Sequence, residues 1–141
     1  MDLGPLTRRV GYMLRRAYYL VHEQGKAAFA LHDLRPQQFG ILLFLDHAPG
    51  SNQTAVAAAL GIQGPNFGGM LAPLVDRRLV RRSPSPLDGR VLVLDLTKRG
   101  RDLLRAAKRV DAGLNTSFDR KLGRGGRQRL LELLGKLADL D

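Results

Sequence analysis

The chain has 141 residues, with 23 Lys and Arg against 13 Asp and Glu, 44% apolar residues and no Cys. This composition is typical of one folded domain, and the lack of cysteine excludes disulfides, thiolate zinc sites and thiol redox switches. No apolar run reaches the roughly 18 to 20 residues that a membrane-spanning helix needs, and the first residues lack a secretory apolar core. We therefore expect a cytoplasmic protein with no membrane partner.

The positive charge is concentrated in the middle of the chain. Residues 1–50 carry 6 basic and 4 acidic side chains, residues 51–110 carry 11 and 4, and residues 111–141 carry 6 and 5. A strongly positive region attracts anionic polymers such as nucleic acid. The middle segment is therefore the candidate contact region, and the two ends are expected to be structural.

Each end carries an apolar stripe with helical spacing. From Leu3 the apolar residues recur at steps of three and four, which predicts one helix of about 25 residues. The second stripe follows a glycine cluster and consists of Leu130, Leu133, Leu134, Leu137 and Leu140. One explanation is that both stripes pack within one subunit. A chain of this size, however, has little other apolar core that could cover two such helices. We expect dimerisation helices in residues 1–32 and 111–141, with an interface that includes Leu3, Leu6, Val10, Met13, Leu130, Leu134 and Leu137.

The next signals predict a helix-turn-helix. Pro36 stands near the first turn of a helix, and Asn52 is placed to cap a short helix, Gln53 to Leu60, that ends at Gly61. A further helix is predicted from near Pro65 to Leu79-Val80, with Phe67, Met70, Leu71 and Leu74 as its buried side. A helix, a glycine turn and a second helix is the arrangement that presents a recognition helix to the major groove.

A β-hairpin is predicted after this unit. Residues 79–82 read as one strand, 83–89 as a turn-rich tip and 90–96 as the returning strand. Thr97 can then cap a helix whose apolar residues are Leu103, Ala107, Val110, Leu114 and Phe118. The expected fold is mainly α with a small β-hairpin, in which residues 33–100 form a winged helix-turn-helix lobe.

The segments Leu79-Val80-Arg81-Arg82, Asp88-Gly89-Arg90 and Leu96-Thr97-Lys98-Arg99-Gly100 resemble the wing and the following helix of the MarR family. Leu34 to Phe39 and Ala57 to Ile62 are similar to the family's sequence as well. The resemblance covers nearly the whole chain and implies one MarR-like domain over residues 1–141. It also implies a homodimer with two winged lobes on a helical base, usually a repressor released by a small aromatic or anionic ligand.

Within this resemblance, Arg90 matches the wing arginine that enters the minor groove, and Asp88 matches the acid that holds it. An exposed salt bridge across a turn is the alternative explanation for this pair. Arg81 and Arg82 flank the wing, where they can contact phosphates or simply be solvated. The full set of candidate DNA contacts is Asn52, Gln53, Thr54, Gln63, Asn66, Arg77, Arg78, Arg81, Arg82, Asp88 and Arg90.

The predicted recognition helix departs from the family pattern. Its positions that should face DNA are Gly64, Asn66, Gly68, Gly69 and Pro73. Among them and the preceding Gln63, only the Asn and Gln side chains can make paired hydrogen bonds to adenine. Interior glycine costs about 1 kcal/mol and interior proline about 3, so we expect a kink or break between residues 69 and 73. Readout of DNA shape with phosphate contacts is then favoured over base readout.

A ligand site is predicted on the first helix. Tyr12, Arg16 and Tyr19 share one face and could hold an aromatic carboxylate, together with His22, His32 and Phe39. Tyrosines at the border of a core are the alternative explanation. The three histidines are too dispersed for a metal site, so no metal and no cofactor are expected.

No motif of an enzyme stands out. The glycine-rich stretch at residues 123–127 follows a helix and lacks the preceding strand and the Lys-Ser/Thr of a phosphate loop. The sequence therefore predicts a homodimeric, sequence-preferring DNA-binding transcriptional regulator, without catalysis, whose partners are double-stranded DNA, a second copy and a small effector. The glycines of the recognition helix motivate an alternative, a dimeric winged-helix module that binds a ligand or protein and binds DNA weakly and without specificity.

Overall fold

In the computed structural model, which describes residues 1–140, six α-helices surround a three-stranded antiparallel sheet. Two 3-10 turns, Gly4–Arg8 and Ala30–His32, flank the first helix. The elements in chain order are α1 (Val10–Phe29), α2 (Pro36–His47), β1 (Ser51–Asn52), α3 (Gln53–Leu60), α4 (Gly64–Asp76), β2 (Val80–Pro84), β3 (Leu92–Leu96), α5 (Lys98–Leu122) and α6 (Gly126–Leu137). The predicted fold class, mainly α with a hairpin in a winged helix-turn-helix, is confirmed.

The sheet has the order β1-β3-β2. Strands β2 and β3 form the predicted hairpin, with Val80 opposite Leu96 and Pro84 opposite Leu92. The two-residue strand β1 adds to the free edge of β3, with Ser51 opposite Leu94. The sequence does not predict β1, because Ser51 and Asn52 are both polar and carry no strand pattern. Its pairing fixes the start of α3 against the wing.

The core lies between the helix-turn-helix, the sheet and the first half of α5. Apolar side chains from all these elements meet there with almost no exposure, including Ile41, Leu42, Leu45, Val56, Phe67, Leu71, Leu74, Val80, Leu94, Leu104 and Ala107. The predicted apolar spacings of α4 and α5 supply Phe67, Leu71, Leu74 and Ala107 of this set. The core therefore lies mainly in the winged lobe, and Phe29 at the end of α1 extends it toward the first helix.

The predicted helix from Leu3 is wrong in its first turn. Residues 4–8 form a 3-10 turn, Arg9 is extended, and the α-helix begins at Val10. Gly4 has a positive φ of 54°, and the Thr7 hydroxyl donates to the Gly4 carbonyl oxygen at 3.2 Å. These local bonds compete with the α-helical pattern, so the apolar spacing of Leu3 and Leu6 is not that of a continuous helix.

The recognition helix is not broken between residues 69 and 73, because α4 is continuous from Gly64 to Asp76, while the kink expected there stays a prediction. The predicted end at Leu79-Val80 is wrong, because α4 ends at Asp76. Gln38 is buried and its Nε2 donates to the Met70 carbonyl oxygen at 3.1 Å, which supports the helix just before Pro73. Phe67, Leu71 and Leu74 anchor the opposite side in the core. Tertiary packing thus outweighs the weak helix propensity of the glycines and the proline.

The end of α4 and the start of α5 meet at the Leu79 carbonyl oxygen. Thr97 donates its backbone N–H to that oxygen at 3.1 Å, and its side chain caps α5 as predicted by accepting from the Gly100 N–H at 3.0 Å. The Thr97 hydroxyl also donates to the Arg78 carbonyl oxygen at 2.6 Å. A Cβ on Gly100 would lie 2.0 Å from the Leu79 carbonyl oxygen. Only glycine at position 100 allows this close approach.

Replacing Gly100 with Ala is expected to destabilise the fold by about 1–3 kcal/mol, because backbone atoms must move to accept the methyl group. Gly113 lies in the same helix, and a Cβ there would meet no atom within 4 Å in the described part of the chain. Gly113→Ala is the matched control and is expected to stabilise by up to about 1 kcal/mol through helix propensity. Urea unfolding of both variants measures the difference, and equal effects would contradict this account.

Candidate nucleic-acid interface and interior cavity

The hairpin tip presents one arginine to solvent. Arg90 has a side chain that is 91% exposed, and its Nε and Nη2 donate to the two Asp88 carboxylate oxygens at 3.2 and 3.3 Å. The Arg90 backbone N–H donates to the same carboxylate at 3.0 Å. These bonds from Arg90 hold the pKa of Asp88 below its ordinary value. The carboxylate therefore stays charged and holds the guanidinium in a fixed direction.

The tip itself is closed by backbone hydrogen bonds. Ser85 donates its N–H to the Val91 carbonyl oxygen at 2.7 Å, and Val91 donates to the Asp88 carbonyl oxygen at 3.0 Å. The Ser85 hydroxyl oxygen also accepts from the Leu87 N–H at 3.2 Å. Arg90 consequently stands on a loop that these hydrogen bonds order, and an ordered loop loses less conformational entropy when it binds another molecule.

The start of α3 is the second part of the candidate interface. Asn52 caps this helix as predicted, with its Oδ1 accepting from the Thr54 N–H at 2.8 Å and the Ala55 N–H at 3.3 Å. Thr54 is exposed, and Gln53 is half-buried with an Oε1 that has no hydrogen-bond partner among residues 1–140. Because Asn52 already accepts from two N–H groups of this helix end, polar side chains such as Thr54 are the groups it offers to a phosphate.

The exposed side of α4 carries almost no functional groups. Gln63, Gly64, Asn66, Gly69 and Pro73 are exposed, and Gly68 is half-buried. Apart from adjacent backbone of the helix, a Cβ at residues 64, 68 or 69 would meet no heavy atom within 4 Å among residues 1–140. Packing within the subunit therefore does not require these glycines. They leave a smooth surface on which the helix backbone itself can approach another molecule closely.

The four arginines around this surface have different surroundings. Arg77 donates from Nη1 to the Asp33 carbonyl oxygen at 2.6 Å and from Nη2 to the His32 carbonyl oxygen at 3.2 Å. This gives Arg77 a structural role, which sequence analysis missed because the two segments are more than 40 residues apart. Arg78, Arg81 and Arg82 are exposed, and Arg78 has a left-handed backbone conformation that ends α4.

The two terminal helices expose large apolar side chains. In the described range 126–137, no residue of α6 is buried, and Leu130, Leu133 and Leu137 are 42–57% exposed. On α1, Val10 and Met13 are 63% and 46% exposed. Leu134 is half-buried, and Leu6 on the preceding 3-10 turn is exposed. The apolar face of α6 is therefore largely uncovered by the described part of the chain.

The predicted ligand residues are not brought together in one cavity. Arg16, Tyr19 and His22 border a shallow depression on the surface of α1, with Tyr18 beside them. Tyr12 lines neither this depression nor the interior cavity described next, whereas His22 and Phe39 of the predicted set line that cavity. The reason is that residues at steps of four and three on one helix share a face, but that face looks outward here.

A cavity of about 360 Å³ that opens to solvent lies between α1, α2, the end of α3 and α5, and we call it the interior cavity because several elements surround it. Its wall is mostly apolar and includes Phe29, Phe39, Leu60, Ile62, Leu114 and Phe118. The polar members of the wall are Tyr18, His22, Gln37 and Asp111, and the Tyr18 and His22 rings stack at 5.5 Å between centroids. Its size and its apolar wall suit a single aromatic ring with a short substituent.

Asp111 is the charged member of this wall, and sequence analysis did not select it. Its carboxylate makes no hydrogen bond or ion pair with any residue between 1 and 140, and burial raises its pKa although Arg127 acts in the opposite direction. Arg127 itself donates to Asp119 at 2.8 Å. Asp111 was not a candidate because one acid on a long helix gives no sequence signal of a cavity.

The described side chains do not bring three His, Cys, Asp or Glu residues together as a metal site would require. Within residues 1–140, no helix is both long enough and apolar enough to cross a bilayer.

Known proteins resemble this chain over most of its length. The sequence model of the MarR family matches residues 32–91. The chain is 33% identical to the HTH-type transcriptional repressor NicR of Pseudomonas putida, over 96% of this chain and 86% of NicR.

Two solved structures of the transcriptional repressor CouR are similar in fold and in sequence. CouR bound to a 23-mer DNA duplex superposes with a TM-score of 0.92 at 41% identity, over 98% of each chain. CouR bound to p-coumaroyl-CoA superposes with a TM-score of 0.87 at 40% identity, over 98% of this chain and 97% of CouR.

Replacing Asp111 with Asn is expected to stabilise the chain at neutral pH and to lose that advantage in acid. Because the folded-state pKa lies above the ordinary value of 3.8, the wild-type acid contributes stability below that value and loses it as pH rises through the folded pKa. Thermal unfolding at about pH 3 and about pH 7 measures the offset between variant and wild type. An offset that does not change with pH would contradict the burial of this carboxylate.

Proposed function

Because this chain belongs to the MarR family and is a DNA-binding transcriptional repressor of the winged-helix type, we propose that it binds its operator as a homodimer and is released by a small aromatic ligand. The observation that carries the DNA part is the exposed guanidinium of Arg90, braced by Asp88 on an ordered hairpin tip. A fixed arginine at the tip of a wing suits the narrow and electronegative minor groove.

The remaining DNA contacts are proposed to be mostly with phosphates. Asn52, Gln53 and Thr54 at the start of α3, with exposed Arg78, Arg81 and Arg82, surround the smooth face of α4. Gln63 and Asn66 are the side chains proposed to reach base edges in the major groove. We leave Arg77 out of this set, because its guanidinium binds two carbonyl oxygens of its own chain. Sequence preference then depends chiefly on the shape of the DNA.

Dimerisation is proposed through the helices at the two ends of the chain. Most of the exposed large apolar side chains of the described residues belong to α1 and α6, and α6 buries none of its residues in the single chain. A second copy would cover both stripes and would set two wings at a fixed distance. A fixed distance between wings allows two half-sites on one duplex to be bound together.

The interior cavity is the proposed ligand site. Its wall joins α1 and α5 of the helical base to Phe39, Leu60 and Ile62 of the winged lobe. The ligand of CouR, p-coumaroyl-CoA, contains an aromatic ring, and an aromatic acyl group or a related small aromatic compound suits a cavity of this size. A ligand that prefers one relative position of base and lobe shifts the equilibrium between DNA-binding and released states.

The bare face of α4 favours a second candidate function. A helix with glycine and proline where base-reading side chains usually stand could belong to a dimeric ligand-binding or protein-binding module with weak, non-specific DNA binding. The two functions differ in whether unrelated DNA competes equally with the operator.

Arg90→Ala is expected to weaken operator binding roughly 5- to 150-fold, which corresponds to about 1–3 kcal/mol, with the dimer intact. Arg124→Ala is the matched control, because it removes the same exposed charge from the turn between α5 and α6 and should change binding little. Fluorescence anisotropy with the upstream DNA of the gene, at several salt concentrations, measures both.

Equal binding by Arg90→Ala and wild type at about 150 mM salt would show that the wing does not enter the groove. In the same assay, unlabelled unrelated DNA should compete much less well than the operator fragment. Equal competition would leave only the sequence-independent electrostatic contribution and would favour the second candidate function.

Leu137→Glu is expected to halve the molar mass measured by light scattering and to weaken operator binding, because a charge in the α6 stripe opposes its burial against a second copy. Leu43→Glu changes an exposed leucine of α2 outside both terminal stripes and should keep the dimer. A wild-type chain that is a monomer at micromolar concentration would refute the proposed assembly.

A further inference from the structure

We propose that Asp111 makes the interior cavity selective for aromatic ligands that present a hydrogen-bond donor to it, such as a phenolic hydroxyl, over ligands that present a carboxylate. The inference rests on the proposed function only in taking this cavity as the ligand site. It changes the expected ligand chemistry, because the sequence favoured an aromatic carboxylate held by Arg16.

The charged side chains around the cavity are placed unfavourably for a ligand carboxylate. Arg16 borders the outer depression of α1, not the interior cavity. Among residues 1–140, no Lys or Arg lines the cavity, and the titratable groups of its wall are Tyr18, His22 and Asp111. A ligand carboxylate inserted toward Asp111 would meet a like charge in a mostly apolar space. Like charges at short distance in such a medium repel strongly.

The Asp111 carboxylate can accept hydrogen bonds that the described residues do not supply. Its carboxylate accepts no hydrogen bond from the described part of the chain, and the nearby Arg127 is bound to Asp119 instead. This half-buried carboxylate has lost part of its hydration, and no donor among the described residues compensates for that loss. A donor on the ligand would restore the missing bond, and bonds to a charged acceptor are stronger than neutral ones.

The rest of the cavity wall is mostly apolar. Phe29, Phe39, Leu114 and Phe118 supply ring-sized apolar walls, so binding energy comes from burying the ring. Since these apolar walls do not distinguish substituents, the polar members of the wall decide between ligands of the same shape, and Asp111 is the acidic one among them. An aromatic ring with a neutral donor satisfies both parts of the cavity.

The test uses three probes that share one methyl-substituted ring: 4-methylphenol, p-xylene and 4-methylbenzoate. Titrations of the full chain, followed by NMR at about pH 7.5, give three dissociation constants for each variant, and the phenol remains un-ionised at this pH. In wild type, 4-methylphenol should bind more tightly than 4-methylbenzoate. In Asp111→Leu, the preference for 4-methylphenol over p-xylene should fall 10-fold or more, because the acceptor has been removed.

Asp111→Asn keeps the shape and removes the charge, so it should raise the affinity for 4-methylbenzoate relative to 4-methylphenol. Each preference is a ratio within one variant, and it is therefore insensitive to a loss of folded protein. Asp46→Leu is the control, because this carboxylate is exposed and lies 3.7 Å from Lys108, outside the cavity. Its ratios should equal those of wild type.

Unchanged ratios in Asp111→Leu, or a wild type that binds the benzoate as tightly as the phenol, would overturn the role of Asp111 and leave the proposed repressor intact. If wild type binds none of the three probes saturably, the cavity is not the ligand site, and the ligand part of the proposed function fails with this inference. Operator binding by the same preparation tests the DNA-binding part independently.

Discussion

The close packing of the first turn of α5 on the Leu79 carbonyl oxygen fixes the geometry of the winged lobe. Thr97 bonds to this oxygen through its N–H, and Gly100 lies against it with no room for a side chain. The Thr97 hydroxyl also donates to the Arg78 carbonyl oxygen, just beyond the end of α4. The recognition helix, the hairpin and the long helix are thus joined at one point, and the direction of the wing follows from the direction of α5.

A wing with a fixed direction is important here because α4 contributes so little chemistry of its own. Its exposed face has glycine and proline where polar side chains would form hydrogen bonds to bases, whereas Arg90, Arg81 and Arg82 lie on the hairpin beside it. Charge at the border of a smooth helix supplies affinity without base readout. In the proposed binding mode, specificity then comes from how well a given DNA sequence adopts the shape that these charges require.

The sequence predicted those features whose causes are local. Asn52 and Thr97 cap their helices because the capping bonds span two or three residues, and the hairpin follows from short strands around a turn-rich tip. Propensity failed at α4, where Gln38 from another helix supports the backbone and three apolar side chains hold the helix in the core. It failed at Gly4 as well, where a turn competes with an otherwise helical spacing.

The candidate site depended more on distant contacts and was therefore predicted less completely. Arg77 binds carbonyl oxygens of residues 32 and 33, and Asp111 faces residues of α1 and α2, so neither role is visible in a local pattern. Both residues make contacts where the helical base meets the winged helix-turn-helix lobe. Helix α5 carries Gly100 at the wing joint, Asp111 at the cavity and Ser117, which accepts from Gln24 of α1 at 2.8 Å. Because one continuous helix bears all three contacts, a ligand bound in the cavity as proposed would act on the position of the wing by changing the packing of α5.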